Sequence, residues 1–309
     1  MIVGRVQASS RPLADLVIVN YRSYEELSRC LSSLEPLRGG FATITVVDQE
    51  SDSAAATAVA RAFPWAVVIE RQTNDGFAQG INAGATVGHA PFLLLLNPDC
   101  VAGSDFVARL VDFAVGHPQA AIVGPRILNA DGTIQGSARR FPGWSTFVAG
   151  RSSWLTKKFP GNPLSRWNLP GRLETSASMN VDWVSGACML VRRSAFDQVG
   201  GMDEAFFLYW EDADLCKRLT ERGWLVAFFP GAEVVHVGGR SSIHVYRESL
   251  AAFHASAFRL FWKHSGWVLR GLAPLVYGVL QARLHTLLYV HRNRLSSARL
   301  TASHRSSET

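Results

Sequence analysis

Cysteine is scarce in this chain. Cys30, Cys100, Cys188 and Cys216 stand far apart, with no C-x-x-C pair and no Cys/His run at zinc-ligand spacing. Such thiols read as ordinary buried residues of a reducing compartment, which excludes a disulfide scaffold and a structural zinc site. A long apolar run is missing as well. The opening residues MIVGRVQASSRPLAD lack the apolar core of a signal peptide. Near the C-terminus, residues 271–280 (GLAPLVYGVL) and 287–290 are interrupted by Arg270, Gln281, Arg283 and His285. They fall short of the roughly 20 apolar residues that a membrane-spanning helix needs. No G-x-G-x-x-G follows the first apolar run, so a dinucleotide-binding turn is not indicated. The catalytic part is therefore expected in the cytoplasm. Acidic residues are in the minority, 25 against 31 Lys and Arg, and the net charge of +6 points to anionic partners: a phosphorylated substrate, anionic lipid or nucleic acid.

What is present is a regular alternation. Residues 16–20 (LVIVN), 42–48 (ATITVVD), 66–70, 92–96 (FLLLL) and 121–123 are short apolar runs of the kind that form buried parallel strands. Between them, apolar residues recur at helical spacing over 27–34, 54–63, 77–87 and 106–115. Gly76, Gly80 and Gly84 follow a four-residue period that lets a helix pack closely. Strand and helix in this order predict an α/β fold with a mostly parallel central sheet flanked by helices, and a C-terminal helical appendage. Ligands of such sheets bind beyond the carboxyl ends of the strands. Polar residues stand there: Asn20 after the first strand, Asp48 after the second, and Asn97-Pro98-Asp99 after the fourth. One such aspartate is a turn former; several on one edge make a polar cleft.

The densest chemistry lies in residues 200–222, GGMDEAFFLYWEDADLCKRLTER. Two glycines suit a turn, an apolar run 206–210 follows, and Glu211, Asp212 and Asp214 open a helix carried by Leu215 and Leu219. The helix N-terminus favours ionised carboxylates, whereas apolar neighbours raise the pKa of a desolvated one, so the pair is a seat for a general base. Read alone, the pair is better taken as a cap on a surface helix, and the rest of the chain shifts that balance. Downstream, His236 precedes Gly238-Gly239-Arg240, a loop able to close over a diphosphate.

Two further regions carry partner signals. Residues 139–176 lose all periodicity and interleave aromatics with seven basic residues (Arg139, Arg140, Arg151, Lys157, Lys158, Arg166, Arg172) offset only by Glu174. That pattern suits a membrane interface, a single strand of nucleic acid or a packed insertion. The C-terminal part, 243–309, reads as amphipathic helices with a basic tail. A helical hairpin lying on the membrane, with Arg292, Arg294 and Arg299 toward anionic headgroups, competes with a helix pair packed on protein.

Taken in order, VIVNYRS (17–23), VVDQES (46–51), NDGFAQGIN (74–82), LNPDC (96–100), VSGACMLVRR (184–193), GGMDEAFFLYWEDADLCKRL (200–219) and HVGGRSS (236–242) resemble family 2 glycosyltransferases of the GT-A fold, in their bacterial rhamnosyltransferase-like branch. The resemblance spans residues 16–242 and leaves 139–176 and the C-terminal helices outside. It implies a catalytic domain over residues 12–242 and an inverting transfer from a nucleotide-sugar donor. Asp48 would hold the nucleotide base, with Asp75 and Asn82 nearby. Asn97-Pro98-Asp99 takes the place of the metal motif, so Asp99 would ligate Mg2+ or Mn2+ on the diphosphate, aided by His236. Asp212 would take the acceptor's proton, with Glu211 orienting the acceptor. Asn20 and Arg240 complete the expected donor contacts. The chain departs from the family pattern at Asn97, where an aspartate is usual, at Gln49, where an asparagine is usual, and at Asp52, a shifted acid.

The reading is thus an inverting, metal-dependent transferase moving a sugar, L-rhamnose from dTDP-rhamnose, to a cell-surface polysaccharide or a polyprenyl-diphosphate-linked glycan, on the inner face of the cell membrane. A same-fold enzyme using another dTDP- or UDP-sugar (a hexose or galactofuranose) is the nearest alternative, and a non-catalytic sugar-nucleotide-binding scaffold a weaker one. Nucleic acid is not expected as a partner, because strand-end carboxylates repel a phosphate backbone.

Overall fold

The computed structural model describes residues 13–143, 158–159, 161–170, 177–237 and 246–306, with side chains as far as residue 293. By contact it divides into two units, Met1–Phe207 with Glu211–Ser241, and Leu208–Trp210 with Ser242–Thr309.

The first unit is built on β1 (Ala14–Asn20), α1 (Tyr24–Leu34), β2 (Phe41–Asp48), α2 (Ser53–Ala62), β3 (Val67–Glu70), α3 (Phe77–Ala85), β4 (Phe92–Leu96), β5 (Cys100–Ala102), α4 (Phe106–Gly116) and β6 (Ala120–Leu128). There follow β7 (Ile134–Gln135), β8 (Ala138–Arg139), α5 (Pro163–Asn168), β9 (Met179–Val181), β10 (Trp183–Val184), β11 (Cys188–Arg192), α6 (Arg193–Gln198), α7 (Glu211–Thr220) and β12 (Leu225–His236). The main sheet runs β3-β2-β1-β4-β11-β6-β12-β5, with β7 on β6 and β9 on β12. β1 is parallel to both β2 and β4, and β12 is parallel to β6. β11 is antiparallel to β4 on one side and to β6 on the other. The parallel sheet thus continues across a single reversed strand, which begins at the edge where β4 ends: Cys188 lies opposite Leu96.

The apolar runs explain the centre of this sheet. All five residues of β4 are buried, its four leucines completely, because helices cover both faces. Burying each such side chain contributes about 1.5–3 kcal/mol. On one face α3 lies so close that a Cβ at Gly80 would meet Val19 and the Gln49 amide, and one at Gly84 would meet Val17 and Val47. The glycine period therefore does let the helix settle on β1 and β2. All four cysteines are buried and free, as expected of reduced thiols. At the opposite end of β1, buried Asp15 accepts from Thr43 Oγ1, the Ala90 amide and Arg193 Nη2 (2.7, 2.7 and 2.9 Å), which locks the sheet where no ligand is expected.

The apolar runs 224–229 and 232–236 belong to one strand, β12. The register of β12 against β6 shifts between Phe229 and Glu233. Pro230 there has no N–H for the ladder, and a side chain at Gly231 would strike the Phe229 ring. The strand continues past the break to carry His236 beside Cys100 of β5.

In the second unit, α8 (Tyr246–His264), the short α9 (Trp267–Arg270) and α10 (Ala273–Ser306) form a helical hairpin. Phe258 meets Tyr277, His254 Nε2 lies 3.0 Å from Arg283 Nη1, and Tyr246 stacks on His291. Contacts that climb one helix while descending the other fix an antiparallel pair. Residues 208–210 join this unit: Tyr209 and Trp210 pack on Phe253, and Ser256 Oγ donates to the Leu208 carbonyl.

Candidate active site

The carboxyl ends of β1 and β2 carry a closed polar cluster. Asn20 Nδ2 donates to Asp48 Oδ1 at 2.7 Å, and the Tyr24 and Ser51 hydroxyls donate to Asp48 Oδ2 at 2.8 and 2.7 Å. Asp48 is 1% exposed. Burial and the bond to Asp48 push the Tyr24 phenol up to about 12, so it stays a donor. Gln49, where the family pattern has asparagine, spans the next gap: its Oε1 accepts from the Asp75 amide and its Nε2 donates to the Gly76 carbonyl. Asp75 itself is gripped by Thr73 and by both Nε and Nη2 of Arg71, whose hydrogen bonds hold its carboxyl below the usual range. Asn82 is one turn further along α3. Its amide is spent on the loop before α7, donating to the Met202 carbonyl and Glu204 and accepting from the Met202 N–H, each at 2.9 Å.

A second cluster forms where β4 ends. The Asn97 N–H donates to the Ala187 carbonyl, which seats the turn carrying Asp99 against the start of β11. Asp99, 8% exposed, has Oδ1 3.1 Å from His236 Nε2, and the Val237 N–H donates to the Asp99 carbonyl. Pairing of His236 with Cys100 brings together residues that are distant in the chain. Ligand atoms of Asp99, Cys100 and His236 lie within 4.8 Å of one another. Cys100 is the misfit: its Sγ points at the Ala187 carbonyl at 3.3 Å, and burial holds the thiol protonated. The usable donor set is one carboxylate oxygen and one imidazole nitrogen, which fits a divalent cation that takes its remaining ligands from phosphate oxygens and water. Arg240 lies outside the described residues.

The third cluster is the start of α7. Asp212 Oδ2 accepts from the Gly186 N–H and Oδ1 from the Ala213 N–H, both at 2.8 Å. Burial raises its pKa, opposed by the Gly186 bond and the charge of Arg139. Glu211 is buried more completely, and burial followed by the Asp212 charge drives its pKa well above the carboxylate range. Its Oε2 has no hydrogen-bond partner among the described residues. Burial thus raises the pKa of both adjacent carboxyls, that of Glu211 with the Asp212 charge added, which is the direction of shift that a base working near neutrality needs. Behind them, Asp214 is paired with Arg218, which also donates to the Val199 and Gly201 carbonyls.

The link between the second and third clusters is the segment 185–188, whose role the sequence does not announce. Gly186 donates to Asp212 while Ala187 accepts from Asn97, so the Asp99–His236 corner and Asp212 share one turn of chain. A Cβ at Gly186 would lie 3.3 Å from Asp212 Cβ. Four non-glycine residues with positive φ occur among the described residues, and all flank these clusters: Arg22, Glu50, Tyr209 and Trp210. Backbone of that kind costs of order 1–3 kcal/mol per residue and persists where the surroundings over-determine it, as at functional sites.

Sheet order places this chain in the GT-A fold class. Mannosyltransferase PcManGT from Pyrobaculum calidifontis, solved with GDP-Man and Mn2+, superposes with a TM-score of 0.55 at 14% identity, covering 92% of this chain and 81% of that one. GalNAc-T7, solved with UDP, GalNAc and Mn2+, gives 0.55 at 16% identity over 74% of this chain and 44% of its own. The model of glycosyltransferase-like family 2 matches residues 12–253, and the chain belongs to that family as a glycosyltransferase. An N-acetylglucosaminyl-diphospho-decaprenol L-rhamnosyltransferase of Mycobacterium tuberculosis is 34% identical over 285 residues, 88% of this chain and 92% of its own, so the resemblance to the rhamnosyltransferase-like branch holds.

Proposed function

We propose that this enzyme moves L-rhamnose from dTDP-rhamnose, with inversion, onto a sugar carried by a polyprenyl diphosphate. The observation that carries the mechanism is the shared turn at 185–188, which sets the Asp99–His236 corner and the Asp212 base on either side of one segment. Similarity to the mycobacterial rhamnosyltransferase over nearly the whole of both chains supports the donor and the acceptor class.

In this reading the nucleotide lies along the ends of β1 and β2. Asp48 forms the floor of the base pocket, and a base N–H reaches its carboxylate when the Tyr24 or Ser51 hydroxyl gives way. Gln49 holds the Asp75-Gly76 backbone that flanks the nucleotide. Asp99 and His236 would hold Mg2+ or Mn2+, which when bound supplies Lewis-acid neutralisation of the departing diphosphate. Asp212 accepts the proton of the acceptor hydroxyl, whose oxygen then attacks the anomeric carbon opposite the leaving group. Glu211, kept neutral, donates a hydrogen bond that orients the acceptor without placing a second anion beside the base.

The acceptor's lipid calls for a membrane surface. Among the described residues no helix is long and apolar enough to cross a membrane. The hairpin instead exposes Trp267 (87%), Leu275 (64%), Tyr277 and Tyr289, with Arg270 exposed between them. Apolar side chains with basic neighbours suit the headgroup region of the cytoplasmic leaflet. Residues 12–242 form the catalytic domain in this reading and 243–309 the membrane-facing appendage.

The test is transfer to polyprenyl-diphosphate-linked N-acetylglucosamine from a panel of labelled dTDP- and UDP-sugars, with Mg2+, Mn2+ or EDTA. Product from dTDP-rhamnose alone, abolished by EDTA, is expected. Product from a hexose or galactofuranose donor instead would replace the donor assignment, and turnover unaffected by EDTA would remove the metal.

A further inference from the structure

The hairpin turn at 129–133 plays no part in the chemistry above, yet a directed run of hydrogen bonds leads from it to the cation corner. Asp131 Oδ1 accepts from both the N–H and the hydroxyl of Thr133, at 3.0 and 2.6 Å. Asn129 Nδ2 donates to Thr133 Oγ1 at 2.8 Å. Gln135 Nε2 donates to Asn129 Oδ1 at 2.8 Å and to the His236 carbonyl at 3.2 Å. That leaves Gln135 Oε1 facing His236 Nδ1 at 3.1 Å. Pairing of Ile127 with Gln135 and of Leu128 with Ile134 in the β6–β7 ladder holds the whole run in place.

Polarity passes along this run without ambiguity. An ionised carboxylate only accepts, and the two Thr133 bonds hold the Asp131 pKa below the usual range, so the Thr133 hydroxyl must donate to it. Thr133 Oγ1 therefore accepts from the Asn129 NH2 group, and Asn129 Oδ1 accepts from the Gln135 NH2 group. The Gln135 carbonyl oxygen is then the atom left for the imidazole, and a carbonyl oxygen can only accept. The proton of neutral His236 is thereby placed on Nδ1, and Nε2 turns its lone pair toward Asp99 Oδ1. The two acceptors stand 3.1 Å apart, with side chains 17% and 8% exposed. Acceptors so placed repel one another unless a positive charge lies between or beside them.

We propose that Gln135, oriented by Asn129, Thr133 and Asp131, is a positioning residue that keeps the proton of His236 on Nδ1 and so presents Nε2 to a divalent cation beside Asp99. The proposal rests on the metal reading given under Proposed function. Gln135 touches neither substrate nor cation; it acts through the imidazole. Partners that fix a ligating histidine in this way are typically worth about 10–100-fold in metal affinity.

The experiment is Mn2+ binding followed by the electron paramagnetic resonance of the free ion, in the presence of dTDP, for wild type, Gln135→Met, Gln135→Glu and His236→Ala. Methionine keeps length and volume but removes the strong acceptor. Glutamate keeps an acceptor on Nδ1 and gives up only the two bonds that the Gln135 NH2 group donates, to Asn129 Oδ1 and to the His236 carbonyl. Gln135→Met should weaken Mn2+ about 10–100-fold, approaching His236→Ala, while Gln135→Glu stays within about threefold of wild type because a charged acceptor holds the N–H at least as well. Wild-type affinity in Gln135→Met overturns the proposal, and so does a Gln135→Glu loss as large as that of methionine, which would mark a packing role. An unchanged His236→Ala would instead remove the metal reading itself. If Gln135→Met does not fold, Thr133→Val serves: it frees the Asn129 amide and should weaken Mn2+ in the same direction by a smaller factor, whereas no change refutes the directed run.

Discussion

Replacing Asp212 with asparagine separates chemistry from binding. The carboxylate accepts two backbone N–H bonds, from Gly186 and Ala213, both 2.8 Å long. An asparagine oxygen keeps one of them and turns an NH2 group toward the other N–H, which costs about 1–3 kcal/mol for the stranded donor. Against that, the raised pKa of Asp212 means that its charge opposes folding above the ordinary carboxylate range, and the amide relieves that cost. The two effects oppose, so the variant should stay folded. Its rate should not survive. General-base assistance contributes about 10²–10⁴-fold, or about 2.7–5.4 kcal/mol at about 1.36 kcal/mol per decade. The assay is single-turnover transfer from labelled dTDP-rhamnose, with dTDP affinity measured separately by calorimetry in the presence of Mn2+. The expected outcome is loss of transfer with dTDP affinity retained. In the wild type the rate should rise with pH through the folded pKa of Asp212, which lies above 3.8. An Asp212→Asn enzyme keeping more than about a tenth of the rate, well inside the range of general-base effects, would refute the reasoning. So would a parallel loss of nucleotide affinity.

Other consequences are as direct. Glu211 has a folded pKa well above its unfolded value of 4.5, so the folded chain holds that proton more tightly. Its contribution to stability is greatest below the unfolded pKa and is lost as pH rises through the folded one; thermal midpoints of Glu211→Gln across that range should show a flatter dependence than wild type. Gly186→Ala puts a methyl 3.3 Å from Asp212 Cβ. It should cut turnover about tenfold or more through misplacement of the base, with dTDP affinity unchanged by calorimetry. Gly84→Ala forces a methyl onto Val17 and Val47, and urea denaturation should show about 1–3 kcal/mol of lost stability with normal activity in the folded fraction. Trp267→Ser with Leu275→Ser should reduce flotation with anionic vesicles, and equal flotation would argue for a protein partner on that face.

Much of the frame was legible because the parallel strands are buried on both faces. FLLLL at 92–96 can hardly be anything but a central strand, and the polar residues that end β1, β2 and β4 follow from where such strands stop. The acidic pair at 211–212 was visible because an apolar run leads straight into two acids at a helix start. The reversed β11 was not legible, since a buried strand reads the same in either direction. β5 has three residues and no pattern of its own, yet it is what brings His236 to Asp99. Gln135, and what Gln49 and Gly186 hold in place, escaped notice for a different reason. Each acts through a partner set by the fold, and an amide or a glycine in a strand-end loop carries no local signal. Asn82 shows the same limit: it stands beside a nucleotide-pocket motif in sequence, while its amide is engaged with Met202, 120 residues away.

The central claim is a single displacement, with Asp212 driving the acceptor oxygen against a sugar whose diphosphate is held at Asp99 and His236. The anomeric configuration of the first-formed product tests it most directly. Donor and product configurations should be compared by proton NMR, from one-bond carbon–proton couplings, after a single turnover with dTDP-rhamnose. Opposite configurations are predicted; the same configuration in donor and product would contradict the account, because one attack from the far face cannot retain it.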